Sequence, residues 1–277
     1  GLFTLNNAII GDIYRGKTRM QVMGINSAMI SIGTAVFPAI GGFLGGLHWR
    51  FPFYLALYAA AVGILILWKM DDLNIHTNES VSNYLRKTLF VVRQWKIIRL
   101  YILSFITFFI TFGAMIAYLP LYMSERFGSS PFSIGLVISC GSLSSALLSA
   151  NLSRIERVIP VRYMVALAFV LYTVVFGWLT QTNTAWHLML TSTLFGAGQG
   201  LNIPSVQTLI VSLAPVEVRG MFMAFNSMVV LMGITLGPVA ASLVFKHWGM
   251  IQIYYSAGFL TLVFVLVLFV GGRDLKI

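Results

Sequence analysis

The sequence predicts an all-α membrane protein, and two observations carry that expectation. Of its 277 residues, 58% are hydrophobic and only 9% are charged, with a mean hydropathy of +0.87. A soluble domain carries roughly 25% charged residues, so a chain of this composition lacks the surface to face water. The few charges also cluster: 20–49, 51–68, 100–124, 127–153, 163–216, 220–245 and 247–272 contain no Asp, Glu, Lys or Arg. These stretches approach or exceed the ~20 apolar residues that a helix needs to cross a bilayer. Helices are expected rather than a barrel, because the ten-residue alternation of barrel strands is absent. In lipid, each backbone group must then bond within its own segment.

Taken in order, Gly1 to Ile10 is apolar but too short to cross, and reads as the end of a span, part of a ninth helix. Eight full spans are expected near 20–47, 51–69, 99–123, 131–151, 161–181, 185–213, 220–245 and 250–271. The uncharged run 163–216 is too long for one crossing, and its polar middle, Gln181 to Thr184, reads as a turn. Between the second and third spans, Val81 to Lys96 repeats apolar residues at helical spacing with Arg86, Lys87, Arg93 and Lys96 interleaved. That pattern suits a basic helix lying on an anionic leaflet.

The loops alternate between the two sides, so their charges orient the chain. One set holds 15 Lys and Arg residues and the other only Arg50, Arg126 and Lys246. Lys and Arg accumulate on the cytoplasmic side, which puts residues 70–98 and the loops at Arg154 and Arg219 there. The net charge of +10 is thereby explained by topology and lipid contact, with no nucleic-acid partner. The lone Cys140 falls inside a span, so neither a disulfide framework nor a thiol metal site is expected. No metal and no cofactor is expected.

An internal repeat organises the spans. At an offset of 200, Arg19, Met23, Asn26, Ser27, Gly33 and Pro38 meet Arg219, Met223, Asn226, Ser227, Gly233 and Pro238. His48-Trp49 recurs as His247-Trp248, and Tyr54 as Tyr254. A period of that length corresponds to six spans with their loops, giving two pseudo-repeated six-helix halves and a plan of twelve helices. Transporters built this way bind their substrate between the halves near the midplane. The expected division is 1–69 as a remnant of the first half, 70–98 as a cytoplasmic linker with the basic helix, and 99–277 as a complete second half.

Three motifs make the chain resemble the major facilitator superfamily, and within it the drug/proton antiporters. Gly33 to Gly42 is similar to the antiporter motif G-x-x-x-G-P-x-x-G-G, with Phe37 where the second Gly belongs. Its repeat partner, Gly233 to Ser242, restores that Gly as Gly237 before Pro238 but ends in Ala241-Ser242. Ala150 to Arg157 is a weaker echo of the loop motif G-x-L-x-D-R-x-x-R, with Ala150 and Ser153 in place of its Gly and Asp. Gly196 to Pro204 is similar to the tenth helix of such transporters.

The resemblance implies proton-coupled efflux of small amphiphilic molecules or drugs by alternating access, from a multi-pass and monomeric protein of the cell membrane. It implies that the motif carrying Gly33, Pro38, Gly41 and Gly42 forms a tight contact between the halves that limits proton leak, with Gly233, Gly237 and Pro238 as the packing residues of its repeat partner. Small-residue packing of the ordinary kind uses the same residues, and Phe37 is too bulky for a glycine-sized gap. The resemblance also implies a cytoplasmic gate at Asp12, Arg15, Arg19, Arg154, Arg157 and Arg219, with Asp12 and Glu156 as acceptors; topology alone accounts for the same charges.

Within the spans the sequence offers no carboxylate, the usual charge-changing group of a coupled transporter. Polar and aromatic residues remain. Gln199 and Asn202 are neighbours on one span, Asn226 and Ser227 sit near the cytoplasmic end of the next, and Phe105, Phe108, Phe109 and Phe112 share a face. Phe108, Phe112, Tyr118, Gln199 and Asn202 are the substrate-cavity candidates, although the same aromatic face suits lipid or a neighbouring helix. Alternatives are sugar or metabolite uptake or exchange on the same fold, and a non-transporting membrane sensor. No catalytic constellation of His and acidic residues occurs within a span, so no enzyme is expected.

Overall fold

The computed structural model describes residues 16–54, 63–64, 68, 95–182, 184–214 and 219–270. Among these residues every regular element is helical: α1 (Gly16–Leu47), α2 (Trp95–Ile110), a π-helical segment (Thr111–Ile116), α3 (Leu119–Phe127), α4 (Pro131–Ala150), α5 (Leu152–Glu156), α6 (Val161–Leu179), α7 (Ala185–Leu213), α8 (Arg219–Trp248) and α9 (Met250–Val270). Among the described residues, five helices are long and apolar enough to cross a membrane: Trp95–Phe127, Pro131–Ala150, Val161–Leu179, Arg219–Trp248 and Met250–Leu268. In α1 the apolar part is Ile32–Leu47, and α7 runs for 29 residues with a Gly- and amide-rich middle. Most of the expected span 51–69 and most of the expected basic helix 81–96 lie outside the described residues.

Local chemistry explains the boundaries. Gly128, at φ 58°, occupies the left-handed conformation that ends α3, and its N–H donates to Ser124 O at 3.1 Å; Gly takes that conformation without penalty. Ser130 then caps α4 by accepting from Ser133 N at 3.2 Å, with Pro131 in the first turn, where a missing N–H costs nothing. The expected turn at 181–184 falls between Leu179, the end of α6, and Ala185, the start of α7.

The expected span 99–123 lies within one helical span, Trp95–Phe127, whose pitch changes inside it at the π segment, where Ala117 N donates to Phe112 O at 3.2 Å. A π turn inserts one extra residue without any change in polarity, so hydropathy does not register it.

The helices pack in a chain of neighbours. α1 lies along α4, α4 and α6 flank α7, and α9 covers α6. α2 and its π segment run along α8, and α7 touches both α2 and α8. The core is densest on α6, where Met164, Ala168, Phe169, Tyr172, Val175, Phe176 and Leu179 are fully buried. The outward faces are apolar: on α8, Met228, Leu231, Met232, Leu236, Val239 and Leu243 are all exposed. Such a surface suits hydrocarbon and would be an aggregation hazard in water.

Candidate functional site

Polar side chains gather where α2, α7 and α8 meet. Thr107 and Thr111, one turn apart on α2 and its continuation, each donate a hydroxyl to the carbonyl four residues back: Leu103 O at 2.7 Å and Thr107 O at 2.6 Å. Their lone pairs therefore face outward as acceptors. Asn202 and Gln199, three apart on α7, meet them: Asn202 Nδ2 donates to Thr107 Oγ1 at 2.6 Å, and Gln199 Nε2 donates to Thr111 Oγ1 at 2.8 Å. The commitment of each threonine proton orients each amide, since only the NH2 end can serve an acceptor. The result is a two-rung ladder between the helices.

Beside the Asn202–Thr107 rung, Ser104, Thr107, Phe108, Asn202, Ile203, Val206, Gln207 and Asn226 line a narrow, partly open pocket of the order of one water molecule. None of these residues is charged. Asn202 and Asn226 are 1% and 4% exposed, and their Oδ1 atoms have no hydrogen-bond partner among the described residues. Buried acceptors of this kind are uncommon and mark places where a ligand or water completes the bonding. On the other side of Asn202, the fully buried Tyr172 OH lies against the Asn202 amide. Nearer the Arg219 end of α8, Tyr101 OH donates to Phe222 O at 3.1 Å and pins α2 to α8.

The rungs yield a measurable difference. Thr107→Val leaves the buried Asn202 amide without an acceptor, which costs about 1–3 kcal/mol. Thr111→Val costs less, because Gln199 is only half-buried. Thermal unfolding of the purified chain, followed by tryptophan fluorescence, should place Thr107→Val clearly below Thr111→Val.

Of the aromatic cavity candidates, Phe108 lines the pocket, whereas Phe112 and Tyr118 do not. Phe108 stacks on Phe112 with ring centroids 6.4 Å apart, while Phe105 pairs separately with Phe109 at 5.5 Å. Of these four rings, only Phe108 lines the pocket. Tyr118 packs on Phe245 at 5.7 Å, beyond the π segment. Ser104, Thr107 and Gln207 were not singled out from the sequence. The available signal was the four-residue spacing of Thr107 and Thr111 opposite the three-residue spacing of Gln199 and Asn202.

The glycine motifs sit at two backbone crossings. A Cβ on Gly42 would collide with the Pro131 carbonyl, and the backbone of Pro38 lies against Gly135 in the same way. Gly41 has nothing within 4 Å, and Gly33 meets only the ring of Phe37 in its own helix at 3.7 Å. Phe37 is 51% exposed and does not enter the crossing. On α8, Gly233 and Gly237 abut the backbone of Phe105 and Phe109, and a Cβ on Gly113 would lie 2.8 Å from Gly237 O. Pro238 is half-buried within α8.

Of the gate candidates, Asp12 and Arg15 lie outside the described residues, and Arg19 is described only as part of the α1 backbone. Arg154 Nη1 donates to Asn151 Oδ1 at 3.2 Å, and Arg219 Nε to Ala214 O at 3.4 Å. Arg157 lies at the end of α5.

Apolar outer faces and helices of membrane-crossing length, with an uncharged polar seam between them, define a multi-pass α-helical membrane protein. The chain belongs to the Major Facilitator Superfamily, whose model matches residues 1–188 and 100–275. It is 27% identical to "Multidrug resistance protein 1" of Bacillus subtilis (strain 168) over 246 residues, covering 86% of this chain and 61% of that protein. It is 27% identical to "Quinolone resistance protein NorA" of Staphylococcus aureus (strain COL) over 257 residues, covering 90% of this chain and 64% of that protein. "Multidrug resistance protein 2" of Bacillus subtilis (strain 168) is 29% identical over 153 residues, covering 52% of this chain and 38% of that protein. The chain thus spans less than two thirds of the length of these relatives.

Proposed function

We propose that the chain serves a secondary transporter of the cell membrane that exports small amphiphilic molecules by alternating access, with protons as the coupling ion. The observation that carries this reading is its similarity, over 86% and 90% of its length, to two proteins named for drug resistance. In this reading 1–69 and 99–277 belong to two halves joined by a linker at 70–98, and the pocket at Asn202 and Asn226 belongs to the solute path. The crossing of α1 on α4 at Pro38 and Gly42 is the tight contact that limits leak, and the arginines at 154, 157 and 219 serve the closed cytoplasmic gate. None of the described residues that line the pocket is acidic, so in this reading the coupling charge is not among them.

The test is flux in vesicles from cells expressing the whole gene, with a fluorescent amphiphilic dye and an imposed pH gradient. Accumulation that collapses with the gradient is the expected result. Movement indifferent to the gradient would remove proton coupling, and no movement of any amphiphile would remove export.

A further inference from the structure

We propose that the pocket between α2, α7 and α8 is a subsite for a single uncharged hydroxyl or carboxamide head group, held by Asn226 and Asn202. This deepens the export reading and rests on it for the claim that the occupant is cargo. Three observations lead there. The first is the fixed orientation of Asn202: its NH2 is committed to Thr107, so its carbonyl oxygen is the end left without a partner. Asn226 Oδ1, on the facing helix, is also unpartnered and buried. A carboxamide NH2 placed between the helices can donate to both acceptors, and a hydroxyl to one of them, relieving groups that are otherwise costly to bury.

The second observation is charge. None of the described residues lining the space is ionised, and an ammonium or carboxylate head would meet no counter-ion among them. Desolvating an unpaired ion costs far more than desolvating a hydroxyl or amide that regains its hydrogen bonds inside. The pocket therefore favours a neutral head over a charged one. The third is shape. The polar space admits one water-sized group, while Phe108, Ile203 and Val206 supply the apolar part of its wall. A polar tip with an apolar body behind it fits such a wall, which is the outline of a short neutral amphiphile.

Photolabelling tests the assignment without requiring transport. The full chain in nanodiscs is irradiated with a diazirine-bearing octanol, and the adducts are located by peptide mass spectrometry. Adducts are expected on Phe108, Ile203 or Val206, competed by octanamide but not by octylammonium at neutral pH. Asn226→Leu should reduce them about tenfold, the loss expected when one buried hydrogen bond disappears. Asn226→Ser, which keeps a hydroxyl, should retain a larger share and controls for a folding defect in the leucine variant. Equal labelling in all three proteins, competition by octylammonium as strong as by octanamide, or labelling spread evenly over outward residues such as Met228 and Leu236 would overturn the subsite. Labelling as expected with no flux in vesicles would leave the subsite standing and remove the export reading. Flux without labelling here would do the reverse.

Discussion

Leucine at position 196 is expected to abolish the folded chain, and alanine there to lower its stability by about 1–3 kcal/mol, the cost of overpacking a filled contact. The reason is the crossing of α7 on α4. A Cβ on Gly196 would collide with the Gly141 carbonyl and lie 2.8 Å from Gly141 Cα. Backbone atoms cannot step aside as a flexible side chain can, so the helices must separate. One turn on, a Cβ on Gly200 would lie 3.0 Å from Leu148 Cβ, and Ser149 Oγ donates to Gly200 O at 3.2 Å. The opposite face of α7 is equally tight, since a Cβ on Gly198 would lie 2.7 Å from Cε1 of the fully buried Tyr172. α7 is thus held between two helices by glycines on both faces, and it carries Gln199 and Asn202 to their threonines. Gly177, exposed in α6 with nothing within 4 Å, is the control. Gly177→Ala should leave stability unchanged or raise it by up to ~1 kcal/mol, the helix preference for Ala over Gly. Size-exclusion profiles and thermal unfolding in detergent read both. A Gly196→Leu variant that elutes and melts like the parent would show that the crossing is not set by glycine size.

Five of the expected spans are found among the described residues, and they were legible because the bilayer imposes a coarse rule, an uncharged length of chain, that survives any detail of packing. The turn at 181–184 was legible for the same reason, as the polar interruption of a run too long to cross once. The π segment was not, because Thr111–Ile116 changes the hydrogen-bond pitch without changing hydropathy. At the site, Asn202, Gln199 and Asn226 stood out as amides in apolar helices, which are costly to bury and so conspicuous. Ser104 and Thr107 did not stand out. A hydroxyl can bond to its own helix, as Thr107 does to Leu103 O, and so sits in an apolar run without signalling a partner across the interface. Phe37 shows a different limit. A bulky ring inside a glycine motif suggests a blocked contact, yet each residue turns about 100° around a helix. Pro38 and Gly42, one turn apart, share the face that meets α4, and the adjacent Phe37 points off it.

That rotation separates two neighbouring glycines, and the second large effect follows from it. Gly42→Leu is expected to drive α1 away from α4, whereas Gly41→Leu in the same chain is expected to leave the contact intact. Position 42 faces the backbone of Pro131 and Phe132, with a Cβ there 3.2 Å from Phe132 Cα, while position 41 has open space to 4 Å. The rings of Phe43 and Phe132 lie 6.3 Å apart across the same crossing, so they provide the reporter. With both replaced by cysteine in a Cys140→Ser background, a short bifunctional thiol reagent should link the helices in the parent and in Gly41→Leu. Gly42→Leu should lower the yield about tenfold or more, because leucine side chains do not fit a backbone contact without displacing it. Equal yields from the two variants would mean that α1 tolerates bulk at the crossing, and the proposed leak-limiting role of Pro38 and Gly42 would fall with it. A loss in Gly42→Leu together with proton leak in reconstituted vesicles would tie the backbone contact to the barrier itself, since Gly41→Leu carries the same added volume one residue away.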